Sequence, residues 1–315
     1  MRKQVTWRPA LAGCMLTLTI AGCSGSPQAP GGDDTMQPDA SFIAEENAWR
    51  ARRDESLRKP DGWTSLIGLH WIELKAHYIG SDATSGIRLA KGPPKLGMLQ
   101  RESERVFFTP EQDVALTLDG EPVVGRVELH DDMSETPSVI GFDDGKGLIT
   151  LIKRDGRHAL RVKHADAETR TGFAGLDYWP ADPSWKVAAR FVPNPPGKTI
   201  AVADIIGSVN EEPSPGAVEF QREGRTWRID ALDEGDGRLF LVFADRTNGH
   251  GSYGAGRFVY ADKPDADGNV VVDFNQAYNP PCAFTAFATC PLPPPENRLD
   301  LAVTAGEKQY AGAGH

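Results

Sequence analysis

The sequence predicts a mainly β protein: an antiparallel barrel or sandwich of roughly a dozen strands, with one N-terminal helix and a proline-rich C-terminal loop. From about Gly86 onward, apolar and β-branched runs are separated at short intervals by Asp-Gly or Glu-Gly pairs. Such pairs favour the tight turns of β-hairpins. A single amphipathic segment, 41–60, precedes these runs. Prolines are concentrated in 273–298, where each removes a backbone donor and fixes φ.

The amino terminus has the pattern of a bacterial lipoprotein signal. Arg2, Lys3 and Arg8 precede an apolar run over 10–20 that ends in the lipobox Ile-Ala-Gly-Cys23. The run has about 11 residues, too few to span a bilayer, which takes about 20 helical residues. The sequence therefore predicts a cleaved signal peptide rather than a spanning helix.

Cleavage would make Cys23 the first residue of the mature chain, carrying palmitate or similar acyl groups. A signal peptide is thus predicted over 1–22 and a flexible tether, rich in Gly, Pro, Ser and Gln, over 23–40. Ser24, where an aspartate could stand, favours the outer membrane and a periplasm-facing protein. The alternative is a secreted protein cut at another small-residue site. The predicted partner is a membrane, bound through lipid in the cell envelope.

The charge of the chain argues against nucleic acid as a partner. The full chain has a formal net charge of −10, with 34 basic and 44 acidic residues. Loss of Arg2, Lys3 and Arg8 leaves 31 basic residues against 44 acidic ones, a charge of −13. A basic surface for a phosphate backbone is not predicted. The body, 61–308, is long enough for one large β domain or for two subdomains meeting near 172–182.

The segment 41–60 is predicted to be one helix. Phe42, Ile43, Trp49 and Leu57 lie roughly on one side of it, and acidic residues precede basic ones, which suits the helix dipole. The β body then follows. Three hairpins are predicted to turn at Asp119-Gly120, Asp155-Gly156 and Glu223-Gly224, and two further strands follow Gly237 and Asp267-Gly268.

Export changes how the cysteines are interpreted, since only Cys282 and Cys290 remain as thiols in the mature body. In an oxidising compartment such a pair favours a disulfide, which would stabilise by about 2.5 kcal/mol on the chain-entropy estimate. Free thiols are the alternative. The seven histidines are scattered without metal-ligand spacing, so neither a metal nor a cofactor is predicted.

Two familiar motifs are weak in this chain. The run Gly249-His-Gly-Ser-Tyr-Gly254 matches G-x-G-x-x-G but lies between two strand-like runs rather than between a strand and a helix, so a turn is predicted. No G-x-S-x-G elbow occurs in the mature chain, and Ser252 beside His250 is a poor substitute because neighbouring side chains in a tight turn usually point apart.

The remaining site candidates cluster in and near the proline-rich segment. Preorganised amide, phenol and charged groups there could bind a small polar ligand or an envelope component. An alternative is a hydrolase that uses Asp245 or Glu296 as general acid or base near 273–298. A third reading is that these groups only satisfy the backbone of an irregular loop. The ligand-binding candidates are Asp245, Arg257, Asn275, Tyr278, Asn279 and Glu296.

One long segment resembles a known family. The run from Asp273 to Thr285, together with Ala288-Thr-Cys-Pro-Leu-Pro293, Glu296-Asn-Arg-Leu299 and Ala305-Gly-Glu-Lys308, is similar to the signature of domain of unknown function 1684. The resemblance extends from about Trp49 to Lys308. It implies no established activity or cofactor. Because the family includes proteins without an export signal, the resemblance also leaves open whether the two cysteines pair.

Overall fold

The computed structural model describes residues 39–312, and this range begins with the predicted helix. Helix α1 spans Ala40–Arg58, and the Asp39 carboxylate caps it by accepting from the Ser41 amide at 3.3 Å. The prediction of a helix over 41–60 is confirmed to within two residues. The predicted signal peptide and the predicted lipidation site at Cys23 lie outside the described residues, as does nearly all of the predicted tether. Within 39–312, no helix has the length and hydropathy that a membrane crossing requires.

The first half of the body is a sandwich of two β-sheets. A six-stranded sheet has the order β1-β11-β10-β9-β6-β7, and a five-stranded sheet has the order β3-β2-β4-β5-β8. Their inner faces share one apolar core, in which Leu99 and Phe108 of one sheet meet Ile149 and Leu160 of the other. The strands are β1 (Leu66–Trp71), β2 (Ala76–Gly80), β3 (Ile87–Arg88), β4 (Gly97–Glu102), β5 (Arg105–Pro110), β6 (Thr117–Leu118), β7 (Glu121–Pro122), β8 (Val127–Leu129), β9 (Val139–Phe142), β10 (Gly147–Arg154) and β11 (Arg157–His164).

The second half follows a short helix α2, Glu168–Thr171, and has its own core. A four-stranded sheet has the order β16-β15-β12-β19, and two separate hairpins are β13–β14 and β17–β18. The predicted junction at 172–182 lies between the last strand of the first half and the first of the second. The strands are β12 (Lys186–Pro193), β13 (Thr199–Ala203), β14 (Val209–Pro213), β15 (Gly216–Arg222), β16 (Arg225–Ala231), β17 (Leu239–Phe243), β18 (Arg257–Ala261) and β19 (Asn269–Asp273).

The predicted hairpin turns are confirmed in their backbone geometry. Asp155 and Gly156 join β10 to β11 with φ of 48° and 68°. Glu223 and Gly224 join β15 to β16 with φ of 53° and 71°. Positive φ at both central residues is what a two-residue turn needs to match the twist of its strands, and glycine at the second position adopts it without strain.

The mainly antiparallel β class is confirmed, and the described residues form sandwich-like sheets rather than a closed barrel. Strands outnumber the predicted dozen because several, such as β3 and β6, have only two residues. The proline-rich segment 273–298 contains three short 3-10 helices. The run 249–254 is a turn between the antiparallel strands β17 and β18, as predicted.

Candidate functional site

A cavity of about 590 Å³ lies where α1, the first sandwich and the second half of the body meet. Its wall carries four arginines, Arg52, Arg53, Arg154 and Arg161, but a single carboxylate, Glu234. This excess of positive charge is unusual in a chain whose net charge is −10. We call this cavity the cleft. Its positively charged lining is suited to binding an anion.

Strand alternation explains why a cationic side chain points into the cleft from β11. Leu160 and Val162 belong to the core of the first sandwich. Because successive side chains of a strand point to opposite faces, Arg161 and Lys163 lie on the outer face of the same sheet. The second half of the body packs over this face, where Thr285 Oγ1 donates to the Leu66 carbonyl at 3.0 Å. A surface that would otherwise be solvated is thereby half-buried.

Arg161 has no anionic partner among the described residues. Its Nη2 reaches Thr289 Oγ1 at 3.4 Å, and its guanidinium carbon lies 5.4 Å from the centre of the Trp63 ring. Within residues 39–312, its Nε is buried without a hydrogen-bond partner and no carboxylate pairs with it. Burial, assisted by repulsion from Arg154, lowers the pKa of Arg161. The group is therefore a desolvated cation that an incoming anion would stabilise.

Helix α1 contributes one face to the cleft. Trp49, Arg52, Arg53 and Ser56 line it. Their spacing of three, four and seven positions places them on the same side of an α-helix. The helix is held down by the Arg53–Glu307 ion pair at 2.8 Å, in which the Glu307 carboxylate is fully buried. The cleft thus depends on α1 staying docked against the body.

The second half supplies an aromatic wall. In the β17–β18 hairpin, Phe240 pairs with Tyr260, while the flanking residues Leu239, Leu241 and Val259 enter the core on the opposite face. The Phe240 and Tyr260 rings are stacked with centroids 4.9 Å apart. Strand alternation therefore directs these aromatic side chains toward the cleft.

Tyr278 extends this wall. Its amide and carbonyl exchange hydrogen bonds with Phe258 at 2.8 and 2.9 Å, which fixes it beside β18. Its ring is nearly parallel to that of Tyr260, with centroids 6.2 Å apart. Burial raises the pKa of both phenols, so they are neutral hydroxyls at any physiological pH. The wall is aromatic, and the guanidinium groups of Arg238 and Arg53 lie over the Tyr260 and Tyr278 rings.

Most other charges at the cleft already have partners. Arg154 pairs with Asp132 at 2.7 Å, and Glu234 accepts a hydrogen bond from the Tyr260 hydroxyl. Arg53 is paired with Glu307. Arg52 and Arg161 form no ion pair among residues 39–312, so they carry the uncompensated positive charge of the cleft.

The predicted ligand-binding residues are not gathered in one place. Of the six, Tyr278 borders the cleft. Asp245 and Arg257 form a fully buried ion pair at 2.7 Å inside the second half. The Arg257 guanidinium also donates to the Val303 and Ala305 carbonyls, and burial lowers its pKa. This pair ties the turn after β17 to the C-terminal segment.

The two predicted asparagines are also bound to backbone. Asn275 exchanges hydrogen bonds with the Asp182 amide and carbonyl at 3.0 and 2.9 Å. Asn279 donates to the Lys308 carbonyl at 2.8 Å, while its Oδ1 is buried without a partner within 39–312. Glu296 is exposed on a different surface, beside Thr199 and Arg228. Asn275 and Asn279 therefore hold the proline-rich segment against neighbouring backbone.

The two cysteines are free and buried next to each other. The Cys282 amide approaches Cys290 Sγ at 3.1 Å, and Cys290 lies in the wall of the cleft. The Tyr253 hydroxyl donates to the Cys282 carbonyl at 3.2 Å. The predicted disulfide stays a prediction. Among residues 39–312, no group of three or more His, Cys, Asp or Glu side chains is arranged to hold a metal ion.

Sequence reasoning missed the cationic part of the cleft. Arg161 and Lys163 alternate with Leu160 and Val162, which is the pattern of an ordinary solvated strand face. The available signal was the presence of Trp63 and Trp71 near the same sheet. Large aromatic side chains beside arginines on an outer strand face indicate that another segment or a ligand covers that face. Nothing local in the sequence shows which element covers that face.

The comparisons with known proteins agree with the resemblance seen in the sequence. A family model described as "Protein of unknown function (DUF1684)" matches residues 171–308. This chain belongs to that family. In this DUF1684 protein the matched range supplies the aromatic wall with Tyr260 and Tyr278, whereas α1 and Arg161 lie before it. No curated protein matches the chain.

Two solved structures are similar to parts of this DUF1684 protein. The solution structure of an uncharacterised protein from gene locus rrnAC0354 of Haloarcula marismortui is 31% identical, covers 46% of this chain and 81% of its own, and has a TM-score of 0.38. The N-terminal FHA domain of EssC, a component of the bacterial Type VII secretion apparatus, is 15% identical over 31% of this chain and 46% of its own, with a TM-score of 0.25. These TM-scores are too low to carry an argument.

Proposed function

We propose that this protein is a lipid-anchored binding protein of the cell envelope that holds a small organic anion in the cleft. The observation that carries the proposal is Arg161, a half-buried guanidinium whose Nε has no hydrogen-bond partner and which has no carboxylate partner within 39–312. A buried polar group normally has its partners, and a buried charge without one is destabilising. A bound carboxylate or phosphate would supply the counter-charge that Arg161 lacks among these residues.

The size and lining of the cleft support the same function. A volume of about 590 Å³ lies within the range of about 300–1,000 Å³ that small-molecule sites usually have. Arg52 adds a second unpaired cation, and Thr289 offers a hydroxyl beside Arg161. Because Arg161 is half-buried, an ion pair formed there is stronger than one formed in solution.

The hydrolase alternative draws no support from this arrangement. A general acid or base must lie within hydrogen-bonding reach of the reacting group. Asp245 is buried away from the cleft, where its carboxylate accepts from Arg257, from the Thr247 amide at 2.8 Å and from the Val303 amide at 3.2 Å. Glu296 lies on another surface. Neither carboxyl group borders the cleft, so we propose binding rather than hydrolysis.

The binding proposal is tested by isothermal titration of the full mature chain in detergent with phosphate, acetate and benzoate. At least one of these anions is expected to bind with a Kd below about 1 mM, a binding free energy of about −4 kcal/mol. Arg161→Met should weaken that binding at least about tenfold, since hydrogen bonds to charged groups contribute about 1.5–3 kcal/mol.

Arg157→Met is the matched control. Arg157 lies on the same strand, but it is exposed and borders Trp71 rather than the cleft. This variant should bind like the wild type. If no anion binds, or if both variants lose binding equally, the cleft is not an anion site.

The anchor is a separate part of the proposal and has its own test. Cells that express the full chain should incorporate labelled palmitate into it, and Cys23→Ala should abolish the label. Cys14→Ala is the matched control, because Cys14 precedes the cleavage site and should not affect labelling. Undiminished labelling of Cys23→Ala would remove the lipid anchor from the proposal.

A further inference from the structure

The wall of the cleft is divided between stacked rings and guanidinium groups. Phe240, Tyr260 and Tyr278 form a ladder of roughly parallel rings, with successive interplanar angles of 27° and 16°. This ladder comes from the second half of the body. Arg161 and the Trp63 ring beneath it line the cleft from the first sandwich and the segment that leads into it. A ligand in the cleft therefore meets aromatic rings and positive charge together.

The ladder offers ring surface rather than hydrogen bonds. The Tyr260 hydroxyl already donates to Glu234, and Arg238 lies over its ring at 4.0 Å from the centroid. Aromatic rings prefer offset stacking or edge contacts with other rings. A ligand that contacts this wall gains most if it is itself a flat, apolar ring. A small hydrated ion would leave the wall unused.

Arginine at the cleft fits the same kind of molecule. The Arg161 guanidinium is planar and already lies over Trp63 at 5.4 Å. Such a group can hold a carboxylate or phosphate with paired hydrogen bonds, and it can also stack on an aromatic ring. Trp49 on α1 adds a further ring to the wall of the cleft. Charge recognition and ring recognition thus occur in one cavity.

We infer that the ligand is a planar aromatic acid, with its ring system against the Phe240–Tyr260–Tyr278 ladder and its anionic group on Arg161. This inference rests on the proposed function and narrows it to one chemical class. The volume of about 590 Å³ is more than a single benzene ring fills, so an acid with fused rings suits the cleft better than benzoate. The anionic group is a carboxylate or a phosphate, which share the chemistry that Arg161 recognises.

The test compares three molecules of similar shape in titrations of the full mature chain. Naphthalene-2-carboxylate carries both features, decahydronaphthalene-2-carboxylate keeps the charge but lacks the aromatic rings, and methyl naphthalene-2-carboxylate keeps the rings but lacks the charge. Naphthalene-2-carboxylate should bind about tenfold more tightly than the saturated acid, because aromatic pairs and cation–π contacts together contribute about one factor of ten. The neutral ester should bind more weakly than either acid. Naphthyl 2-phosphate, titrated beside them, identifies the preferred anionic group.

Variants of the ladder test whether the preference arises there. Tyr260→Leu should bring the affinity ratio of the aromatic to the saturated acid close to one, a readout that a general loss of folding does not produce. Trp49→Leu on α1 is the second variant, should Tyr260→Leu not fold. Tyr78→Leu is the matched control, since Tyr78 is exposed on β2 outside the cleft and its loss should leave the ratio unchanged.

The outcomes separate this inference from the proposed function. Equal binding of the aromatic and saturated acids would overturn the aromatic inference and leave an anion-binding cleft. A ratio that Tyr260→Leu and Trp49→Leu both leave unchanged would likewise overturn it. Failure of phosphate, acetate, benzoate and all the naphthalene acids to bind would instead remove the proposed function itself.

Discussion

Two arginines of this protein are removed from water in opposite ways. Arg257, in the second half of the body, is fully buried and is bonded to Asp245 at 2.7 Å and to the Val303 carbonyl at 2.8 Å. Arg161, in the first half, has one long contact of 3.4 Å to Thr289 and a buried Nε without a partner within 39–312. The Nε of each guanidinium is buried without a hydrogen-bond partner within 39–312, but only Arg257 has a carboxylate partner there.

This difference in partners indicates different roles for the two arginines. The partners of Arg257 come from a turn and a C-terminal segment that it joins, so its charge is used within the fold. Arg161 faces a space where three parts of the chain meet, and burial lowers its pKa. A desolvated charge is destabilising unless something compensates for it, and under the proposed function the ligand supplies that compensation for Arg161.

The largest expected effect is on the arginine that has a buried counter-charge. Asp245→Asn leaves Arg257 buried without its counter-charge, which should lower the free energy of unfolding by about 3–5 kcal/mol. Urea denaturation of the full mature chain measures this change. Asp236→Asn is the control, because the Asp236–Arg238 pair is exposed and should contribute little to stability. Equal effects of the two substitutions would mean that Arg257 is not held by Asp245 in the way described.

The same comparison shows what sequence can and cannot reveal. The turn at Asp155-Gly156 was predictable because its two residues favour the positive φ that the hairpin needs. The mainly β class followed from the repetition of such signals. Local sequence patterns determine local backbone geometry, and the turn residues of this chain predicted its hairpins correctly.

The placement of the charged residues was not predictable in this way. Asp245 and Arg257 are polar residues near the family signature, and the sequence does not say that they neutralise each other. Arg161 has the pattern of a solvated strand residue, and its burial depends on the packing of a distant segment, with Thr289 128 positions away. Whether a charge is satisfied depends on long-range packing, which one sequence does not display.

Glu307, the partner of Arg53, provides an intermediate case. Its buried carboxylate accepts from Arg53 at 2.8 Å and from the Asn279 backbone amide at 2.7 Å. It therefore joins α1 to the proline-rich segment. Glu307→Gln should reduce the free energy of unfolding by about 2 kcal/mol, since hydrogen bonds to charged groups contribute about 1.5–3 kcal/mol. Amide hydrogen exchange should show earlier opening of α1.

Asp54→Asn is the matched control for Glu307→Gln. Asp54 pairs with Arg58 on the exposed side of α1, and such pairs contribute about 0.3–0.5 kcal/mol. If hydrogen exchange in α1 is unchanged by Glu307→Gln, the ion pair with Arg53 does not hold the helix in place.

Glu46 extends the comparison to a buried acid. It lies on the inner face of α1, accepts from Gln276 at 3.1 Å, and has one oxygen without a partner within 39–312, as does Asp273. Burial, and secondarily the neighbouring Asp273, raises the pKa of Glu46, while Arg50 opposes the shift. A carboxyl whose pKa is raised on folding stabilises the fold fully below its unfolded pKa, about 4.3, and loses this contribution as pH rises through the folded value.

Glu46→Gln should therefore be more stable than the wild type at neutral pH, by about 1 kcal/mol, since the buried charge is removed and the amide can donate to Asp273. The advantage should shrink toward pH 4, where Glu46 is already protonated. Urea denaturation over this range measures it. Glu55→Gln, on the exposed face of the same helix, should show no such dependence, and a constant difference between Glu46→Gln and wild type would contradict the raised pKa.

The smallest expected change in stability belongs to the arginine on which the proposed function rests. Arg161→Met removes a desolvated cation that has no ion-pair partner within 39–312, but it also removes the contact with Trp63, which contributes about 0.5–1 kcal/mol. The two effects oppose each other, so the free energy of unfolding should stay within about 1 kcal/mol of the wild type, in contrast to Asp245→Asn. Denaturation without added anion measures this.

A saturating anion should then stabilise the wild type but not Arg161→Met, because only the wild type gains a partner for its buried charge. A large loss of stability in Arg161→Met without ligand would show that Arg161, like Arg257, is already satisfied by the fold, and the distinction between the two arginines would disappear.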